Sequence, residues 1–422
     1  MVLQYRDGQL RWSNSVWRLV ENMQGRQFSY FHGLLFILLI VTGAYIYADS
    51  NKLSEESYQQ LAKVHEFMEQ KNYDQALREL DTLDHNIQKD KYTKAIILQT
   101  YAYLYSRMEK NNLARNAAKE SLTLESLPKE AEHELLYLSA QLHVKQDDYA
   151  GALPYLTEWF AKENSPKQDA HMLAAVMYTK LGNTSAAIGH LERALNTETG
   201  TKEILFRQLI ALYLHVKRKK DAIALLKQLI NEYGEKADDW WQLSAVYRDM
   251  GDESTALAVL ILAKQRGVLQ SESDLLTLVN YYLYLDLPYD AATLLDNALQ
   301  HRQVTETVEY WELLADAWSR AWEPSKALSA INRAVLLTDE PKLQLKRARI
   351  ALIVEDWTQV LQAVDDSLNH LSVGQNGEAY LLAGIAHYHR DELSKARQAM
   401  QMAKLDSSTV TQADQWLELL KR

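Results

Sequence analysis

The sequence predicts an all-α, right-handed solenoid of about ten helix-pair repeats, and three observations carry that expectation. Only 14 glycines and 6 prolines occur in 422 residues, too few turn formers for a strand-rich architecture. Leu, Ala, Gln, Glu and Lys dominate, and all of them enter helices readily. Small residues also return at a nearly constant interval from Ala76 to Ala396, as stacked repeats require.

The interval is the firmest of the three. Ala76, Ala114, Ala152, Ala187, Ala222, Ala256, Ala291, Ala327, Val360 and Ala396 are separated by 38, 38, 35, 35, 34, 35, 36, 33 and 36 residues. Around each runs one pattern: a large residue, Leu and a small residue, an aromatic, then Ala, a large residue and Ala. Residues 240–263 carry it as Trp240, Leu243, Ser244, Tyr247, Gly251, Ala256, Leu260 and Ala263. Residues 311–334 repeat it with Trp311, Leu314, Ala315, Trp318, Ala327, Ile331 and Ala334. This pattern resembles the tetratricopeptide repeat, two antiparallel helices of which neither can bury its apolar stripe alone.

Each residue type has a task in such a pair. Small residues such as Ala175 and Ala187 let the two helices approach, and Trp240, Tyr247 and Leu260 fill the gap to the next pair. Turns are expected at Lys71-Asn72, Gln146-Asp147-Asp148, Gly182-Asn183 and Gly251-Asp252, where Gly and Asn tolerate left-handed backbone. Pro128, Pro166 and Pro341 fall between repeats, where proline ends one helix and can open the next. The expected organisation is an N-terminal segment 1–48, an array 49–408 and a capping helix 409–422.

The N-terminal segment contains Leu34–Tyr47, an uncharged and mostly apolar run preceded by Arg6, Arg11, Arg18 and Arg26 and followed by Asp49, Glu55 and Glu56. That asymmetry predicts an orientation with the array outside the inner membrane. The run is short for a span and of the right length for a secretory signal, with cleavage expected after Ala48 and a compact signal starting at Met23. The other readings are a retained anchor using residues 28–48, the only expected membrane contact, and a buried core helix. Either of the first two makes the protein periplasmic or inner-membrane anchored and facing the periplasm.

Chemistry is hard to find. The chain has no cysteine, which excludes disulfides, thiolate metal sites and a cysteine nucleophile. A formal charge of −10 argues against nucleic-acid binding. Phosphate-cradling, serine-hydrolase, zincin and calcium-loop motifs are missing, and no cofactor or metal is implied. His387 and His389, two apart, do not share a helix face.

Residues on the exposed side of each first helix line the concave face of such a superhelix. The register places Tyr103, Arg107, Tyr137, Gln141, Lys145 and Lys180 there, followed by Arg207, Trp241, Arg248, Asn280, Tyr284, Asp316 and Arg320. Aromatic and arginine side chains in a concavity suit a protein-binding hot spot. Trp241 is the leading candidate: with Trp240 in the core slot it turns to the groove or packs sideways on a neighbouring first helix.

The strings LSEESYQQLAKVHEFMEQKNYDQALRELDTL, HELLYLSAQLHVKQDDYAGAL, DWWQLSAVYRDMGDESTALAVL and GEAYLLAGIAHYH resemble exported tetratricopeptide proteins of proteobacteria encoded beside TonB, ExbB and ExbD. Departures are the first 22 residues and the ninth repeat, where Arg347 and Val360 replace expected residues. The resemblance implies a periplasmic scaffold serving a TonB-type energy-transduction complex, with components of that complex as partners. The other function left open is an anchored assembly factor for envelope or cytochrome biogenesis.

Overall fold

The computed structural model describes residues 5–6, 9–10, 53–86, 90–197, 202–234, 236–368 and 376–420. They form 21 helices and one two-residue antiparallel pair, β1 (Tyr5–Arg6) with β2 (Gln9–Leu10). The apolar run 28–48 lies outside the described residues. Among those described, no helix is long and apolar enough to cross a membrane.

The chain divides into two compact units, Met1–Gly234 and Glu235–Arg422. In the first, five helix pairs follow one another: α1 (Glu55–Glu69) with α2 (Tyr73–Asn86), α3 (Lys91–Arg107) with α4 (Asn111–Thr123), α5 (Lys129–Val144) with α6 (Tyr149–Lys162), α7 (Gln168–Lys180) with α8 (Thr184–Leu195), and α9 (Lys202–His215) with α10 (Lys219–Tyr233). In the second come α11 (Ala237–Asp249) with α12 (Glu253–Gln265), α13 (Glu272–Tyr284) with α14 (Pro288–Gln300), α15 (Val308–Arg320) with α16 (Pro324–Val335), α17 (Pro341–Ile353) with α18 (Trp357–Leu368), and α19 (Gly377–His389) with α20 (Leu393–Ala403). The last helix, α21 (Val410–Leu419), covers α20, with Trp416 and Leu420 joining the apolar cluster of Ala396 and Met400.

The ten small residues that set the sequence period all occupy the fourth position of a second helix, and each is 0% exposed. A methyl group there brings the paired helices into direct contact. In the pair α11–α12 the approach is close enough for the Ser244 hydroxyl to donate to the Ala256 carbonyl at 2.9 Å. Val360 takes the same place in α18 and is buried like the alanines.

Each pair is closed by the same turn. A residue with left-handed backbone follows the first helix in all ten: Lys71, Glu109, Asp147, Gly182, Lys217, Gly251, Asp286, Trp322, Glu355 and Asp391. The next residue returns its N–H to a carbonyl five positions back, as Asn72 does to Phe67 at 2.8 Å and Glu392 to His387 at 2.8 Å. This is the Schellman arrangement that satisfies the last carbonyls of a helix. Asp148, Asn183 and Asp252 then cap the second helix by accepting from Gly151, Ala186 and Thr255.

Successive pairs are stitched by tyrosines. Tyr101 donates to Asp81 at 2.6 Å, Tyr213 to Glu192 at 2.7 Å and Tyr281 to Glu253 at 2.5 Å. In each case a first helix reaches the second helix of the preceding pair, so the ring fills the gap while its hydroxyl finds an acceptor. Burial and the neighbouring carboxylate push the Tyr213 phenol up to about 12.

The ninth pair is the exception. Arg347 stands on α17 where α15 has Leu314, and it is only 9% exposed. Its guanidinium reaches Gln344 at 3.3 Å, Gln362 at 3.4 Å and Asp366 at 3.5 Å, while its buried Nε has no partner. A charge is thus held in an apolar slot by long contacts.

Candidate functional site

In the first unit the expected groove residues separate by position on the helix. Tyr103 and Tyr137 are half-buried, and burial raises both phenols well above the ordinary tyrosine range. The next first helix brings up a carboxylate in each case, Glu134 beside Tyr103 and Asp169 beside Tyr137. Tyr137 also lies 4.8 Å from Trp159, centroid to centroid, with Gln141 bonded to its hydroxyl. These rings form the wall between helices.

The cations of that unit sit at helix ends. Arg107 and Lys180 are the last residues of α3 and α7, Lys145 follows α5, and all three are exposed. A positive charge in the last turn is favoured by the helix dipole whatever the partner. Lys180 additionally lies 5.9 Å from the centre of the Tyr149 ring. Arg207 is half-buried and paired with Glu203 at 3.1 Å, one turn back on α9.

The second unit brings its candidates together around α13. From α11, the Trp241 indole N–H donates to Asp274 of α13 at 2.9 Å, so the ring lies sideways against the neighbouring first helix and is half-buried. About two turns further along, the exposed Arg248 places its guanidinium 5.8 Å from the centre of Tyr281. Tyr281 is buried, and Tyr284 stacks on it with centroids 6.2 Å apart and planes 11° apart. Tyr284 itself is 72% exposed, and Asn280 is exposed on the same helix. From the other side, Arg320 at the end of α15 pairs with Asp286 at 2.9 Å and donates to the Leu283 carbonyl at 3.3 Å.

Asp316, the remaining candidate, is taken up by packing: Lys346 of α17 holds it at 2.6 Å together with Glu312 at 2.7 Å. These pairs show what the sequence reading left out. Asp274, Asp286, Glu312 and Lys346 were not singled out, yet they brace the face laterally. The signal was present, because Trp241 and Asp274, or Arg320 and Asp286, stand 33 or 34 residues apart, about one repeat. Trp322 was also missed. It follows α15 in left-handed backbone at φ 58° and is 90% exposed.

The two closely spaced histidines turn to different neighbours. The His387 ring meets Glu392 at 2.7 Å, and His389 stacks flat on Trp357 at 4.4 Å. Among the described residues no group of three or more His, Asp or Glu could hold a metal ion.

Helix pairs, small residues at their contacts and braced first helices all point the same way, and the sequence comparison agrees. Residues 137–202 match the tetratricopeptide repeat family. No curated protein matches the chain. Among solved structures the chain is similar to YrrB, described as a TPR protein with an unusual peptide-binding site, at 16% identity over 46% of this chain and 97% of that one, with a TM-score of 0.35. It is also similar to PilW, described as a widely conserved type IV pilus biogenesis factor, at 16% identity over 50% of this chain and 94% of that one, TM-score 0.32. A tetratricopeptide repeat protein from Parabacteroides merdae matches at 13% identity over 60% of this chain and 99% of that one, TM-score 0.29. The likeness is one of fold alone. No catalytic family is indicated.

Proposed function

We propose that this tetratricopeptide protein is a non-catalytic, protein-binding scaffold that acts in the periplasm as an accessory of a TonB-type energy-transduction complex. The observation that carries the binding role is Tyr284, a large ring left 72% exposed although it is ordered by stacking on buried Tyr281. A side chain whose rotamer is already fixed loses little entropy when a partner covers it, which is how interface anchors gain their affinity. Arg248 and Asn280 stand beside it, and the Trp241 ring edges the same helix. Placement outside the inner membrane rests on the apolar run Leu34–Tyr47 with arginines before it and acids after it. The TonB connection rests on the resemblance of the repeat strings.

Both parts are open to one experiment. The full chain, tagged at its C-terminus and expressed in a proteobacterium, is expected in the periplasmic fraction or on the periplasmic side of the inner membrane. After mild cross-linking it is expected to carry TonB, ExbB or ExbD with it. Recovery in the cytoplasm would remove the export reading. Recovery in the envelope with none of the three would remove the TonB reading and leave a scaffold for another client.

A further inference from the structure

Between α6, α7 and α8, within the first unit, lies a cavity of about 420 Å³, in the size range of small-molecule sites. Leu153, Leu156 and Phe160 supply its apolar lining, and His171, His190 and Arg193 its polar lining; no lining residue is acidic. The feature is separate from the α13 face, which belongs to the other unit.

The two histidines are coupled. Their Nδ1 atoms are 3.1 Å apart, so one ring donates an N–H and the other accepts it. Adding a proton to the accepting ring would set two N–H groups against each other. His171 is 7% exposed, and both rings pack against Phe160, at 5.3 and 5.0 Å, with Tyr178 stacked 5.5 Å from His190. The accepting ring must carry its own hydrogen on Nε2, which leaves one N–H donor beyond the pair.

Arg193 completes the arrangement. It forms no hydrogen bond or ion pair among the described residues. Burial first, then its charge, holds His171 below the ordinary imidazole range; for His190 burial comes first, then the charge of His171, then that of Arg193. The cavity therefore has an apolar interior and a positive charge at its exposed edge, with no acidic residue in its lining. A metal ion bridging the two Nδ1 atoms would sit near that guanidinium with no carboxylate to offset it. An anion meets the opposite situation.

We propose that this cavity binds a small monocarboxylic acid with an apolar body, its carboxylate on Arg193 and the remaining imidazole N–H, its body against Leu153, Leu156 and Phe160. The size, the lining and the one-sided charge all select this class. A second carboxylate would find no further cation in the lining, and a neutral molecule would gain nothing from the guanidinium.

Isothermal titration of the full chain at neutral pH with sodium octanoate, and with 1-octanol as its uncharged counterpart, tests the assignment. Octanoate is expected to bind at one site and at least about tenfold more tightly than octanol, as a charge-assisted hydrogen bond implies. Arg193→Gln, an exposed position that leaves the packing intact, is expected to remove about tenfold from octanoate affinity and nothing from octanol. His190→Phe, which keeps a ring in place, is a second variant expected to weaken octanoate. Equal affinity for octanoate and octanol, unchanged octanoate binding by Arg193→Gln, or no saturable octanoate binding would each overturn the proposal. So would one equivalent of zinc bound to the wild type, lost in His190→Phe, in a protein that ignores octanoate.

Discussion

The Trp241 indole N–H donates to the Asp274 carboxylate at 2.9 Å, and this bond fixes a ring on α11 to the next first helix of its unit. Asp274 has a second role, accepting from the Ser271 hydroxyl at 2.6 Å at the start of α13. A double-mutant cycle of Trp241→Phe and Asp274→Asn separates the two, because the asparagine still serves the cap. A coupling of about 1 kcal/mol is expected for a part-buried bond to a charged acceptor. Additive losses would mean that the bond contributes nothing to joining the helices.

Arg347 occupies the place that Leu314 fills in the eighth pair, and its long contacts do little to offset the loss of water around its charge. Replacing a buried, poorly paired ion by an apolar side chain of similar volume is often stabilising. Arg347→Leu is therefore expected to raise unfolding stability by about 1 kcal/mol, with hydrogen-exchange protection rising across residues 341–368. A clear loss of stability would show that the contacts to Gln344, Gln362 and Asp366 stabilise this pair after all.

The helix-pair turns offer a test in which space plays no part. A methyl group on Gly251 would meet nothing within 4 Å, yet the backbone there has φ 80°. Gly251→Ala is expected to cost about 1 kcal/mol through backbone strain alone. At Trp322, with φ 58° and the ring exposed, Trp322→Asn is expected to move stability the other way. Thermal melts of both variants check the pair of signs; a neutral Gly251→Ala would contradict the turn geometry.

Acid stability should depend on the histidine pair. Burial first, then the charges of His171 and Arg193, push His190 down to about 4, whereas an imidazole in the unfolded chain takes its proton near about 6.5. Between those values the unfolded chain binds a proton that the fold refuses, so stability is present above about 6.5 and falls as pH drops towards about 4. His171 and His143 are also held low, chiefly by burial, and add to the same slope. Chemical denaturation of His190→Phe across this range is expected to give a flatter profile than the wild type. Identical slopes would mean that His190 titrates normally in the fold.

The repeat was legible because one constraint recurs: a second helix must have a small fourth residue to meet its partner. Ala76 to Ala396 record that constraint ten times, and Val360 satisfies it despite its larger side chain. Turn positions were harder to see. Gly182 and Gly251 announce left-handed backbone, and Asn72 marked a turn in which Lys71 beside it takes that conformation, but Glu109 and Trp322 adopt it with no sequence signal, because the hydrogen bonds of the turn outweigh the strain. The candidate face was only half legible. Register placed Trp241, Arg248, Asn280, Tyr284 and Arg320 on α11, α13 and α15, and the structure gathers them around α13. It could not show that Tyr103 and Tyr137 sink between helices, which depends on the neighbouring repeat rather than on their own helix. The His171–His190 cavity had no sequence signal, since 19 residues and a turn separate the two rings.

The central claim is that a protein partner is held on the α13 face, and its most direct test is the affinity of the purified full chain for TonB, ExbB and ExbD. The wild type is expected to bind at least one of them. Tyr284→Ala, folded as before by circular dichroism and melting, is expected to bind about thirtyfold more weakly, the loss of about 2 kcal/mol typical of an interface anchor. Trp241→Ala is expected to weaken binding too, by removing both a ring at the edge of α13 and the brace on Asp274. Equal binding by wild type and both variants, or no binding by the wild type, would contradict the account.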